Sequence, residues 1–383
     1  MLSDGVAVPA GGPAMDAVGG GGLPGPGSPR VGGVSRDEEN AAAAVLLGLL
    51  ETAARDGHTV VPLTVVRAAL AGRGVECDDA LEGARADVAV FAGTRLGLRR
   101  LLDAEDRIAR AVATRMAGGR IALVAGPAGE RRDDLVTQVG GDGAAVADDA
   151  QSLDVEAFAA FFESCGTDEM VVLAGDPDEL GSPGPGDVFA SLLAVDGIPR
   201  YDVPDDGAGA LAQLLAGIRR GELPRIEDPD RQVVVVPVAN AAEAVHRVSQ
   251  LLATSIPRAF GIPPAEIQVL CPLRRGPGGV LALRDAVATV GAPAPRTIHE
   301  AVGYRWPAVV VVFSPECAGV LTRQLVYTAL SRAERHVSIV HGVGTALAGA
   351  VRSIATRPRR TTLRERLTQL TADQRLTQLT ADG

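Results

Sequence analysis

From Arg120 onward, short apolar runs alternate with longer stretches that have helical spacing. The apolar runs predict buried strands, and they are IALVAG (121–126), AAVADD (144–149), MVVLAGD (170–176), VVVVPV (233–238), IQVLCP (267–272), AVVVVF (308–313) and VSIVHG (337–342). The stretches with helical spacing are 154–164, 207–220, 240–254, 279–289 and 321–333. Because strands that alternate with helices form βαβ units, the sequence predicts an α/β protein with mostly parallel sheets. A polar stretch near 200–230 separates the strands into two lobes.

Changes in composition divide the rest of the chain. Residues 1–34 are rich in Gly, Pro and Ala, which predicts a flexible tail. Ser35, with Glu38 three residues later, is typical of a helix start, and 35–118 is predicted to be a small helical module. A winged helix, a helix hairpin and a packing unit without DNA contact all fit this module. The other predicted segments are a first lobe (119–206), a linker (207–230), a second lobe (231–345) and a basic tail (346–383).

The predicted tail joins a run of arginines to a duplicated nonapeptide. RLTQLTADQ (366–374) is followed by RLTQLTADG (375–383), and two copies are too few for a solenoid. This duplication predicts a short helical or disordered end. The arginines allow two interpretations, a solvated tail or a contact with nucleic-acid phosphates. They are Arg352, Arg357, Arg359, Arg360, Arg364 and Arg366.

The basic residues of this chain are all arginines. Lys and Arg together number 37 and no lysine occurs, which excludes a Schiff base, a lysine general base and a P-loop lysine. The net charge of −10 excludes attraction of nucleic acid by the protein as a whole, although local basic patches remain possible. The four cysteines form no CxxC pair, which favours a reducing cytoplasm over a zinc or disulfide framework. Neither a signal peptide nor an apolar run of about 18 residues is present, so no membrane association is predicted.

Two strand ends in the first lobe carry groups suited to phosphate chemistry. The GPAG turn (126–129) lies between a strand and a helix, where backbone N–H groups can hold phosphates; a plain βα turn is the other interpretation. Arg131 and Arg132 follow, at the places where a P-loop has its lysine and its Ser or Thr. Asp148 and Asp149 end another strand, where paired acids hold Mg²⁺ or serve as caps and turns.

Further polar groups follow later strands. Asp176 and Asp178 come directly after the MVVLAG strand and begin a loop rich in Gly and Pro. Arg274 and Arg275 follow the IQVLC strand. The segment TIHE (297–300) precedes Trp306 and a buried strand. An arginine directly before a buried strand is unusual, which favours a functional role for Arg332.

Taken in order, these segments resemble RecD-type superfamily 1 DNA helicases, the exonuclease V alpha-subunit family. The resemblance covers roughly residues 36–345 and is most specific in LAGDPDELGSPGPGDVF (173–189), 267–280 and LTRQLVYTALSRAERHVSIV (321–340). It implies two RecA-like lobes with ATP and Mg²⁺ between them, single-stranded DNA across both, and a protein partner in DNA repair or recombination.

The resemblance also assigns roles to individual residues. It places nucleotide contacts at Gly126, Pro127, Gly129, Arg131, Asp176, Glu179 and Arg275. It places catalysis at Asp148, Asp149 and Arg332, with Asp148 as the Mg²⁺ ligand and Arg332 as the arginine that reaches the γ-phosphate. It places DNA contacts at Arg274, Thr297 and His299.

Departures from that family converge on the ATP site. The P-loop lysine and the Mg²⁺-binding hydroxyl are replaced, and Glu130 and Glu179 add negative charge near the position of the γ-phosphate. Because one lost electrostatic donor can cost about 10²–10³-fold in rate, several losses should nearly abolish hydrolysis. The sequence therefore predicts a helicase homologue with weak or no ATPase that binds DNA or a partner. An active ATP-dependent helicase and a scaffold that binds neither nucleotide nor DNA are the alternatives.

Overall fold

The computed structural model describes residues 36–84, 88–204, 207–353 and 358–381. The helices α1 to α14 are, in chain order, Arg36–Arg55, Leu63–Ala71, Cys77–Gly83, Arg99–Ala117, Glu130–Gly140, Val155–Ser164, Val188–Leu193, Ala210–Arg220, Ala241–Gln250, Ile256–Phe260, Val280–Thr289, Arg323–Ser331, Ala346–Arg352 and Leu363–Ala381. The strands β1 to β12 are Val60–Pro62, Ala89–Ala92, Arg95–Leu98, Ile121–Ala125, Ala145–Ala147, Val171–Gly175, Arg200–Asp202, Val233–Pro237, Ile267–Cys271, Arg296–Thr297, Trp306–Phe313 and Ala333–His341.

The N-terminal part contains a sheet that the sequence analysis did not predict. Strands β1, β3 and β2 pair antiparallel, in that order, beside helices α1 to α3. Three helices with an antiparallel hairpin match the winged-helix alternative better than the helix hairpin. Helix α3 carries Asp78, Asp79 and Glu82 but no basic residue, so it does not suit contact with phosphates.

The first lobe is a four-stranded parallel sheet in the order β5-β6-β4-β7. Strands β4 and β6 are completely buried, as their apolar sequences predict. Strand β7 was not predicted because its three residues are polar and exposed. One face of this sheet shares a continuous core with the N-terminal part, in which Leu46, Ile108 and Phe158 are buried together. The parallel arrangement brings the carboxyl ends of β4, β5 and β6 to one edge.

The second lobe is a five-stranded parallel sheet in the order β10-β9-β11-β12-β8. Its central strand β11 has six consecutive buried residues, Ala308–Phe313. The two parallel sheets with their helices confirm the predicted α/β class. The predicted linker is part of this lobe, since helix α8 packs Leu211, Leu214 and Ile218 into its core.

The predicted basic tail is integrated into the fold. In the described part of this segment, Leu363 and Leu367 at the start of α14 are buried in the N-terminal core. The guanidinium of Arg359 donates to the carbonyls of Ser182, Gly184 and Gly186 in the loop before α7. These contacts correct the expectation of a solvated tail, and they engage Arg359 within the protein. Arg357 lies outside the described residues.

Stability should depend on pH through His336 in β12. Its ring is buried, lies 4.3 Å from the ring of Phe260 and is 2.7 Å from the Ser338 hydroxyl. Burial lowers the pKa of His336 below its usual 6.5. The unfolded chain therefore binds more protons below pH 6.5, and the free energy of unfolding should fall as the pH falls through that value. Urea denaturation at a series of pH values should show a shallower acid loss for His336→Phe. His246→Gln, at an exposed histidine, is the control. If the free energy of unfolding of His336→Phe falls with pH as steeply as that of the wild type, His336 is not the source of the acid loss.

Among the described residues, no helix is both long and apolar enough to cross a bilayer.

Candidate nucleotide and nucleic-acid site

The GPAG turn between β4 and α5 is a tight strand-to-helix turn that requires glycine at its first position. Gly126 has a φ of 145°, and a Cβ there would lie 2.6 Å from the Cβ of Val203, so the turn needs glycine. The N–H of Gly126 donates to Gly175 O at 2.9 Å, which joins the ends of β4 and β6. Helix α5 then begins at Glu130. Pro127, Gly129 and the exposed Arg131 line a cavity of about 260 Å³ beside this turn.

Arg132 occupies the acid pair that was predicted to hold Mg²⁺. Its side chain is only 2% exposed. The Nη2 atom donates to Asp148 Oδ1 at 2.6 Å and to Asp149 Oδ1 at 3.1 Å. One guanidinium thus joins both carboxylates at the end of β5. Among the described residues, no group of three or more acidic, His or Cys side chains is arranged to hold a metal ion.

The residues present therefore do not fit Mg²⁺ at this place. The metal requires carboxylate oxygens that are open to it and, in a P-loop, a hydroxyl at the start of the helix. Here the residue at the hydroxyl position is Arg132, and its guanidinium already donates to both Asp148 and Asp149. A divalent cation that used the Oδ1 atoms of both acids would have to displace a buried arginine.

Asp176, directly after β6, is fully buried and accepts hydrogen bonds from two side chains of the second lobe. Arg219 Nη2 of α8 donates to Asp176 Oδ2 at 2.6 Å, and the Tyr327 hydroxyl of α12 donates to the same atom at 2.7 Å. Burial, together with the negative charge of Asp176, raises the pKa of Tyr327, which therefore keeps its proton and remains a donor. Asp176 consequently connects the first lobe to α8 and α12.

Arg332 and Glu179 form a buried ion pair across the two lobes. They are 1% and 2% exposed, and Arg332 Nη2 donates directly to Glu179 Oε1. Ser331 Oγ donates to the same oxygen at 2.9 Å, and Gln151 Nε2 donates to Glu179 Oε2 at 3.1 Å. Burial lowers the pKa of Arg332, and the nearby acids oppose that effect. The arginine predicted to reach a γ-phosphate is thus bonded to Glu179, whose negative charge was predicted to lie near the same phosphate.

Two further hydrogen bonds connect the two lobes across the cleft. The N–H of Leu180 donates to Thr328 Oγ1 at 2.8 Å. Arg305 Nη1 of the second lobe donates to Ala128 O in the GPAG turn at 3.1 Å. The cleft that the resemblance assigns to ATP is therefore bridged by side chains of the protein itself.

The predicted DNA contacts lie on the second lobe and are partly engaged with Glu300. Arg274 Nη1 donates to Glu300 Oε1 at 2.7 Å, and both side chains are exposed. The Thr297 N–H donates to Glu300 Oε2 at 2.9 Å, and Thr297 is buried. His299 lines a polar cavity of about 500 Å³, and burial lowers its pKa. Arg275 is exposed and forms no ion pair within the described parts of the chain.

The structure brings most of the predicted nucleotide residues to one cleft, but their partners were not predicted. Arg132 was noted only as a replacement, although its position after GPAG and before an acid pair was a usable signal. Arg219, Tyr327 and Gln151 carry no local signal, because their partners lie 43, 151 and 28 residues away.

Residues 296–340 match the UvrD-like helicase C-terminal domain. The matched segment runs from β10 into β12 and contains Thr297, His299 and Arg332. The second lobe therefore contains a helicase-like segment.

Comparison with solved structures gives more distant likenesses. Arterivirus nonstructural protein 10, a helicase, is 16% identical over 68% of this chain and 69% of that chain, with a TM-score of 0.32. The same Arterivirus helicase in complex with DNA is 15% identical over 69% and 71%, with a TM-score of 0.32. The PRRSV helicase is 13% identical over 71% and 62%, with a TM-score of 0.33. TM-scores this low add nothing to the assignment of the site.

Proposed function

We propose that this protein is a RecD-like helicase homologue that does not turn over ATP and acts in DNA repair or recombination by binding single-stranded DNA. The observation that carries the proposal is the guanidinium of Arg132 on Asp148 and Asp149. Phosphoryl transfer in P-loop enzymes needs a metal ion and a compact cation at the phosphates. This chain has an arginine on the metal position and no lysine at all.

Charge at the cleft supports the same proposal. Arg332, which would stabilise a γ-phosphate, is neutralised by the buried Glu179. Arg132 shares one positive charge between two carboxylates. A triphosphate carries several negative charges, and no uncommitted buried cation among the described side chains of this cleft is left to compensate them. The cleft residues instead hold the two lobes together.

Exposed arginines of the second lobe support the proposed binding of single-stranded DNA. The helicase-like segment 296–340 includes exposed basic groups, and Arg275 lies on a neighbouring loop without a carboxylate partner among the described residues. A local patch of arginines attracts phosphates even when the whole protein is acidic. A protein partner in the same complex remains part of the proposal.

Two measurements on the purified full chain test this proposal. Phosphate release from ATP·Mg²⁺, with and without single-stranded DNA, should stay at background. Fluorescence anisotropy of a labelled single-stranded oligonucleotide should show saturable binding that weakens as salt rises. DNA-stimulated phosphate release that disappears in Arg332→Ala would instead establish an active helicase. The absence of any DNA binding at low salt would favour the scaffold alternative.

A further inference from the structure

Aromatic side chains are scarce in this protein, yet two of them stack at one place on the second lobe. The chain has one Trp and three Tyr. Tyr304 and Trp306 lie with ring centroids 5.9 Å apart and planes inclined by 24°. The Arg296 guanidinium carbon is 4.9 Å from the Tyr304 centroid and 6.0 Å from the Trp306 centroid. We call these three residues the stacking platform.

The backbone of the stacking platform is fixed by a buried residue. Arg332 Nη1 donates to Tyr304 O at 3.3 Å, and the Trp306 N–H donates to Arg332 O at 2.9 Å. Arg332 is itself held by its buried ion pair with Glu179. A ligand that stacks here therefore meets rings whose backbone is already ordered, which reduces the entropy cost of binding.

Packing of the core explains only part of the platform. Trp306 is partly buried and packs against the core of the second lobe. Tyr304, by contrast, is 54% exposed and contributes to no core cluster among the described residues. The exposed part of the Tyr304 ring is therefore accessible to a ligand.

The chemistry around the platform is that of a nucleotide site. Nucleobases stack on aromatic rings and on guanidinium planes, and arginine also attracts the attached phosphate. Arg296 belongs to the platform, and the exposed Arg305 lies between its two aromatic residues in sequence. The single acid of segment 296–306, Glu300, is bonded to Arg274 and Thr297. The segment thus offers flat rings and net positive charge.

We propose that Arg296, Tyr304 and Trp306 form a nucleobase-binding platform that stacks one base of a nucleotide without sequence preference. The base comes from single-stranded DNA under the function proposed above, on which this source rests. A free mononucleotide presents the same chemistry and is the second source that the experiment distinguishes.

Trp306 is the only tryptophan in the chain, so its fluorescence reports on the platform directly. The full-length protein is titrated with a thymine oligonucleotide, an abasic oligonucleotide of equal length, and AMP. Anisotropy of the labelled oligonucleotides is followed in parallel. The thymine oligonucleotide should quench Trp306 and the abasic one should not. Tyr304→Ala should weaken thymine-oligonucleotide binding by about 5-fold or more, whereas Tyr304→Phe should retain it. Tyr201→Ala, which alters an exposed tyrosine on β7, is the matched control and should behave as the wild type.

The outcomes separate the platform from the proposed function. DNA binding by anisotropy with equal affinity for abasic DNA and for Tyr304→Ala would overturn the platform but not the DNA-binding function. Quenching by AMP alone, lost in Tyr304→Ala, would support the platform with a mononucleotide as ligand and would refute the DNA-binding function. Binding of none of these probes would overturn both.

Discussion

Replacing Arg332 with methionine is expected to lower the free energy of unfolding by about 3–5 kcal/mol, because it leaves Glu179 charged, buried and without its cation. Both side chains are almost fully buried, so water does not compensate the carboxylate. Urea denaturation of the wild type and the variant, followed by circular dichroism, measures the difference. The effect on stability should be present without nucleotide or DNA, since the pair is part of the folded protein.

The double variant Arg332→Met/Glu179→Gln should recover part of this loss, because the buried charge is removed while the hydrogen bonds with Ser331 and Gln151 can be kept. Arg335→Met is the matched control: Arg335 is exposed and forms no ion pair in the described part of the protein. A loss for Arg332→Met no larger than that of the control would contradict the importance of the pair.

Replacing Arg132 with serine is expected to give the protein a response to Mg²⁺ that the wild type lacks. The change frees Asp148 and Asp149 and places a hydroxyl at the start of α5, which are the ligand types that Mg²⁺ prefers. Without the metal the variant should be less stable, since two carboxylates then face each other. With Mg²⁺ at about ten times the dissociation constant, the variant should gain about 1.4 kcal/mol.

Thermal denaturation in EDTA and in a series of Mg²⁺ concentrations measures this response. The melting temperature of the wild type should not change with Mg²⁺, and neither should that of Arg131→Ser, which alters the exposed neighbour. A wild-type protein stabilised by Mg²⁺ as strongly as Arg132→Ser would show that Arg132 does not hold the metal position.

The strands that the sequence predicts are those with an uninterrupted apolar run, including β8, which is partly exposed. Strands β4, β6 and β9 have every residue buried, so an uninterrupted apolar run identifies them. Strands β7 and β10 were missed because they have only three and two residues, and neither is uniformly apolar. Short strands of this kind are defined by their neighbours in the sheet and not by their own side chains.

The candidate site was predictable as a location but not as a set of bonds. The family resemblance placed Asp148 and Asp176 near the GPAG turn, and the carboxyl ends of parallel strands do meet at one edge of the sheet. The pairing of Arg332 with Glu179 joins residues 153 positions apart. An arginine that is suitable for a phosphate is equally suitable for a carboxylate, and only the three-dimensional arrangement decides between them.

The contact between Glu105 and Thr362 has a consequence for how the protein is made. Burial raises the pKa of Glu105, whose carboxylate accepts from the Thr59 hydroxyl and from both the N–H and the hydroxyl of Thr362. Thr362 lies 257 residues further along the chain. On the ribosome, Glu105 emerges before Thr362 is synthesised, so the Glu105 carboxylate cannot make its final hydrogen bonds until residue 362 has been added. The N-terminal core must therefore mature after synthesis of residue 362, against the usual N-to-C order of folding.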